Sequence, residues 1–151
     1  MIRITMLGKP VPQGSKRWLP GGRMVEANSA LHPWRATVTA ETAAAMRFVG
    51  GQWPLAGPLT VTMEFFFTRP KAHYGTGRNE GTLKDNAPTY VATTPDLDKL
   101  IRAVQDGITD AGLWKDDSHV VALAASKRYA EQAGVVVFVG PTPGAGEWRD
   151  G

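Results

Sequence analysis

Six aspartates lie in the stretch PDLDKLIRAVQDGITDAGLWKDDSHVV, residues 95–121, and four of them flank its apolar pattern: Asp96 and Asp98 at its start, Asp116 and Asp117 near its end. The chain has no cysteine and three histidines, so carboxylates dominate its supply of metal ligands and a bound ion is expected to be hard and oxygen-coordinated. Three carboxylates gathered without a cation would repel one another and raise at least one pKa, and a divalent ion removes that conflict. Mg²⁺ beside one or two carboxylates and several waters suits hydrolysis of a phosphodiester. Arg102, one turn after Asp98, is placed either to stabilise developing phosphate charge or to pair with Asp98 or Asp106 along the helix.

These acids need elements to hold them. Leu97, Leu100, Ile101, Val104 and Ile108 recur at helical spacing and predict an amphipathic helix ended by Gly112. Asp96 then falls at the N-cap or first turn, where a carboxylate also serves to accept free amides, and Asp98 can pair with Arg102. Asp116 and Asp117 precede a strand expected over 119–129, so convergence requires two separate elements to lie side by side. His119 stands close enough to Asp117 to reach the same ligand, although a strand-start histidine is more often only a surface residue. Asp106 and Asp110 are expected to form surface pairs on the helix.

The remaining pattern describes one α+β domain. IRITML (2–7) alternates as a strand; 28–48 reads as an alanine-rich helix capped by Asn28 or Ser29 and stopped by Gly50 and Gly51. LTVTMEFFFTR (59–69) places Leu59, Val61, Met63, Phe65 and Phe67 on one face, and VVVFV (135–139) is a further strand. Residues 70–94 lack a period and read as a long loop, functional or disordered, that is a candidate for ordering on a ligand. A domain over 1–140 and a flexible tail over 141–151 follow. No apolar run approaches the ~20 residues that span a bilayer, and the N-terminus lacks a secretory core, so a cytoplasmic location is expected.

The formal charge of +3 leans weakly towards anionic partners. Its distribution is more telling: KPVPQGSKRWLPGGR (9–23) carries four basic residues, no acid and Trp18, a composition suited to following phosphates and stacking on a base, or to an ordinary solvated turn. Arg69, Lys71, Arg78 and Lys84 give the 70–94 region a similar bias.

The 95–121 stretch resembles the signature of the RusA family of Holliday junction resolvases: Asp-Leu-Asp, a short helix ending near Ala-Gly, then a hydrophobic step into Asp-Asp and a strand. GKPVPQGSKR is similar to the family's Pro-x-Pro basic opening, and FFFTRPKAHY to its second strand and basic motif, so the likeness spans most of residues 4–139. The resemblance implies a mixed sheet with two main helices packed on it, a homodimer, and a Mg²⁺- or Mn²⁺-dependent endonuclease that nicks a four-way DNA junction symmetrically in recombination and repair. It implies that Asp96, Asp98 and Asp117 are the essential metal-binding acids, with Asp116 a neighbour. The family's lysine four residues after the second aspartate is Arg102 here, and its asparagine is Lys99, leaving either cation to take the lysine's role. Lys16, Arg17, Arg69, Lys71, Lys99 and Lys127 are the implied DNA contacts. A junction-binding protein without cleavage and a hydrolase of small phosphate esters remain the alternatives.

Overall fold

The computed structural model describes residues 1–14, 16–26 and 28–144, with the backbone alone described at 16, 17, 25 and 26. It is α+β, a mixed four-stranded sheet with two helices on it. The elements run β1 (Ile2–Leu7), β2 (Lys16–Trp18), β3 (Met24–Glu26), α1 (Leu31–Val49), β4 (Leu59–Phe67), α2 (Leu97–Ala111), β5 (Val120–Tyr129) and β6 (Gly134–Pro141). The sheet order is β1-β6-β4-β5, antiparallel except for the parallel β4–β5 pair, and β2 and β3 form a separate hairpin.

Alternation in β4 works as expected: Leu59, Val61, Met63, Phe65 and Phe67 are buried while the residues between them are half-buried. The same core takes Ile2, Ile4 and Met6 from β1, and Val135, Val137 and Val139 from β6. Helix α1 closes it with Trp34 and Val38, and α2 with Leu100, Val104 and Ile108. The α2 stripe is broader than hydrophobic spacing alone implied, because Ala103 and Gly107 are buried too. Gly107 is where α1 crosses: a Cβ there would stand 2.6 Å from Val38 Cγ1, and the Thr39 hydroxyl donates to the Gly107 carbonyl at 3.0 Å. Gly112, at φ 83°, supplies the left-handed C-cap that ends α2.

Three local expectations are revised. Helix α1 starts at Leu31 with Ala30 as its cap residue, and the Asn28 side chain instead accepts the Ala30 amide at 3.0 Å, one step upstream. Asp110 forms no pair along its own helix; it accepts the Arg35 guanidinium of α1 through both oxygens, at 2.8 and 3.2 Å. That bond also raises the Arg35 pKa. Residues 70–94 carry their own order, with 3-10 turns at Lys71–His73 and Gly77–Asn79 and backbone bonds Gly75 N to Thr82 O (2.9 Å) and Lys84 N to His73 O (3.0 Å). Local turns leave no periodicity for a pattern to detect. The expected tail lies outside the described residues from 145 onward.

Candidate active site

The β4–α2–β5 crossover sets where each acid stands. Since β4 and β5 are parallel, α2 runs back along the sheet from the end of β4 to its beginning. Asp96 is the N-cap of α2, and its exposed carboxylate makes no capping bond. The expected purely structural role, accepting helix amides, is therefore not filled. Its ion-pair partner is Lys99 at 3.5 Å, with side chains 57% and 48% exposed, which is worth no more than ~1 kcal/mol. Asp98 follows on the first turn, exposed beside Lys99 and Arg102.

An open cleft of ≈ 370 Å³ lies over this turn, lined by Gln13, Gly14, Asp98, Lys99 and Arg102. Its second wall is the loop after β1, docked by the Gln13 amide on the Lys99 carbonyl at 3.1 Å and by buried Val11. Gln13 Oε1 is buried there without a hydrogen-bond partner among the described residues. A buried oxygen with no partner is what a bound water or a hard cation would satisfy. Nothing in the sequence pattern singled out Gln13. Arg102 makes no ion pair with Asp98 or Asp106 among the described residues, so its guanidinium faces the cleft's solvent uncommitted.

Lys127 reaches the same region from the sheet. It lies opposite Phe65 in the parallel pair and so shares the helix-covered face, and its ammonium donates to Thr93 O at 2.7 Å and Pro95 O at 2.8 Å. The segment entering Asp96 is thus tied to β5, helped by Val91 N to Lys127 O at 3.0 Å. Arg69 is likewise engaged: it donates to Pro88 O at 2.6 Å and lies 5.2 Å over the Tyr129 ring. Lys71 is exposed on its 3-10 turn. The side chains of Lys16 and Arg17 lie outside those described; their backbone forms β2.

Asp117 is elsewhere. It opens the 3-10 turn Asp117–His119 just before β5, and Val120 lies opposite Leu59, at the start of β4. The turn is fixed by fully buried Trp114 and by Leu55 N to Leu113 O at 2.8 Å. Asp116 caps it by accepting Ser118 N at 2.7 Å, and that bond holds its carboxyl below the ordinary range. His119 Nδ1 sits 3.0 Å from Gly57 O, turned to the backbone and not to the acids. The 15 residues of α2 separate this end from Asp96, a rise of ~22 Å. Among the described residues of one chain, no three His, Asp or Glu side chains form a group that could hold a metal ion. The expected meeting of Asp96, Asp98 and Asp117 is therefore not made within a single chain.

A family model described as endodeoxyribonuclease RusA matches residues 8–140. The chain belongs to the RusA endodeoxyribonuclease family. Membership gives the activity class, a nuclease of the Holliday junction-resolving type. The match includes both walls of the cleft, the Lys127 clamp and the turn carrying Asp117. A relative named "Uncharacterized protein YqaN", from Bacillus subtilis (strain 168), is 26% identical over 139 residues, 91% of this chain and 94% of its own length. No helix among the described residues of this RusA-family chain is long and apolar enough to cross a membrane.

Proposed function

We propose that this RusA-family nuclease is a Mg²⁺- or Mn²⁺-dependent homodimer that resolves four-way DNA junctions by paired symmetric nicks, in recombination and repair. The observation carrying the metal reading is the donor set at the start of α2. Asp96 and Asp98 are exposed, Asp96 makes no capping bond, and Gln13, whose buried Oε1 has no partner among the described residues, lines with Asp98 the same cleft. Hard oxygens of this kind fit a hard divalent ion, which when bound supplies charge neutralisation at a phosphodiester and an acidified water.

The chain's own residues do the rest. Arg102 lies one turn from Asp98 and offers a fixed cation to a non-bridging phosphate oxygen. Lys99 pairs with Asp96 in the absence of DNA and turns to a phosphate when DNA arrives. Lys127 holds the 93–95 segment, leaving its third N–H for the backbone of the strand being cut. Lys16, Arg17 and Lys71 extend the basic track, and Arg69 contributes through the loop it organises. Asp117, on the turn that Asp116 fixes, completes the acid set only across the homodimer.

The test is incubation of a synthetic four-way junction, a matched duplex and a small phosphodiester with protein and Mg²⁺ or Mn²⁺. Paired, metal-dependent nicks confined to the junction support the proposal. Junction binding without nicks indicates a structural protein, and turnover of the small ester alone indicates a different hydrolase.

A further inference from the structure

The loop after β1 and the segment that leads into α2 run side by side, and the openings between them follow one another in chain order. Lys9 faces Val91 and Thr93 to Pro95 across a cavity of ≈ 280 Å³, and Lys9 to Pro12 face Thr94 and Pro95 across one of ≈ 390 Å³. Next come Gln13 and Gly14, facing Asp98, Lys99 and Arg102 across the cleft over the first turn of α2. Asp96 thus lies in the chain between the cleft and the two cavities. The first cavity differs from the cleft in having an apolar inner wall, with Phe67 and Val91 buried and the Tyr129 ring beside them. Tyr129 is held by the Arg69 guanidinium, 5.2 Å over its ring, and by His73, perpendicular to it at 4.8 Å. Gly8 N to Ala133 O (3.1 Å), Ala130 N to Phe67 O (2.8 Å) and the two bonds of Lys127 tie the walls together. What the cavity presents to a ligand is therefore the hydroxyls of Thr68, Thr93 and Thr94 and the Lys9 ammonium. No acid lines either cavity, and Lys9 has no ion pair or hydrogen bond among the described residues.

We propose that the first cavity receives one unpaired base of the strand being cut, beside the scissile phosphate, and that Lys9 selects that base by donating to a carbonyl oxygen on its edge. The proposal rests on the nuclease reading of Asp96 and Asp98 and adds what reads the nucleotide next to them. An apolar wall with an aromatic ring would take water from a phosphate and return nothing, whereas a base has two apolar faces and a hydrogen-bonding edge. At ≈ 280 Å³ the cavity is at the small end of the ~300–1,000 Å³ of ligand sites, with room for one base and not for a base pair. A base must leave its stack to enter, which costs least where pairing is already broken, as at a branch point. An ammonium has three donors and no acceptor. Guanine, cytosine and thymine each carry a carbonyl oxygen to receive one of them. Adenine carries no carbonyl, and its amino group would set donor against donor.

Junctions that carry each of the four bases in turn at the nucleotides beside the nick provide the test. At one of these positions wild-type protein is expected to cut the adenine form about tenfold or more slowly than the other three, the scale of one charge-assisted hydrogen bond. Lys9→Met keeps the length of the stem and removes the donors, so it should draw the four rates together at that position, and Lys9→Arg should restore the bias. Lys9 is exposed, so neither variant should shift the unfolding midpoint. Absence of any bias in the wild type overturns the proposal. So does a loss in Lys9→Met that is equal for all four bases, which would make Lys9 an ordinary phosphate contact. Gel shifts with Ca²⁺ in place of Mg²⁺, and with an abasic site moved along the branch-point nucleotides, read the same pocket without cleavage. One abasic position should weaken wild-type binding and have less effect on Lys9→Met. If wild-type protein cuts no junction, the nuclease reading fails separately and this series alone decides the pocket: equal affinity at every abasic position, or no binding at all, overturns it.

Discussion

The ammonium of Lys127 sits 2.8 Å from the carbonyl oxygen of Pro95, the residue that leads into Asp96. A second bond, 2.7 Å to Thr93 O, makes it a two-point clamp between strand β5 and the start of α2. Position of the first acid thus depends on a residue thirty-one places later in the sequence and on the opposite side of the crossover.

Lys127→Met removes the clamp while keeping most of the side chain. Charge-assisted hydrogen bonds are worth ~1.5–3 kcal/mol when well sheltered, and these are partly exposed, so a loss of about 1–2 kcal/mol is expected in urea unfolding. Because Asp96 would no longer be held, the Mg²⁺ concentration for half-maximal cutting should rise, and Lys127→Arg should recover part of the shift. Unchanged metal dependence with lowered stability would leave Lys127 a purely structural brace.

Asp96→Asn tests the acid itself. Since its carboxylate caps nothing and its one ion pair is exposed, stability should change by less than ~0.5 kcal/mol. Junction cutting should fall at least ~10²-fold, the scale for removing a group that stabilises reacting charge, with binding retained in a gel-shift measurement. Joint loss of cutting, binding and unfolding midpoint would reassign Asp96 to folding.

These residues also mark what the sequence could convey. Periodicity fixed α2 and β4 closely, because one buried face repeats every turn or every second residue: Leu100, Val104 and Ile108 in one, Val61, Met63 and Phe65 in the other. Asp96 and Asp98 were legible as a pair because they share a helix turn. The Arg35–Asp110 bridge, the Lys127 clamp and the orphaned Gln13 oxygen were not, since each depends on packing between elements far apart in the chain. Asp117 shows the limit from the other side. Its place in the motif says nothing of the length of α2, which sets it at the far end of the crossover from Asp96.

Asp116 gives a pH prediction. Its pKa is lowered chiefly by the Ser118 backbone N–H, with the Ser118 and Asp117 side chains and His119 adding to the effect and slight desolvation opposing it. A carboxylate whose folded pKa is depressed contributes stability that is present above its unfolded pKa and lost as pH falls through the folded one. The contribution of Asp116 should therefore be intact near neutrality and disappear below the usual carboxylate range. Nuclear magnetic resonance titration should find its carboxyl ionising below the ordinary range of an aspartate. In Asp116→Asn, which keeps an oxygen acceptor for Ser118, this part of the acid dependence of thermal unfolding should vanish.

The hairpin of β2 and β3 yields a prediction about DNA affinity. Its register pairs Lys16 with Glu26 and Trp18 with Met24, and it begins just after Gln13, which is docked against α2 at the cleft. Trp18 is 68% exposed, which leaves its ring free to stack on an unpaired base. Lys16→Ala/Arg17→Ala should weaken binding to junction and duplex alike and reduce the slope of log K against log salt by about 2, since every phosphate that a basic side chain neutralises adds ~0.9 to that slope. Trp18→Ala should leave that slope unchanged and cost ~1–3 kcal/mol selectively where unpaired bases are available, as at a branch point. Salt titrations on both substrates separate the two effects. An unaltered slope in the double variant would remove the hairpin's basic residues from the DNA track, and equal losses on junction and duplex for Trp18→Ala would remove its stacking role.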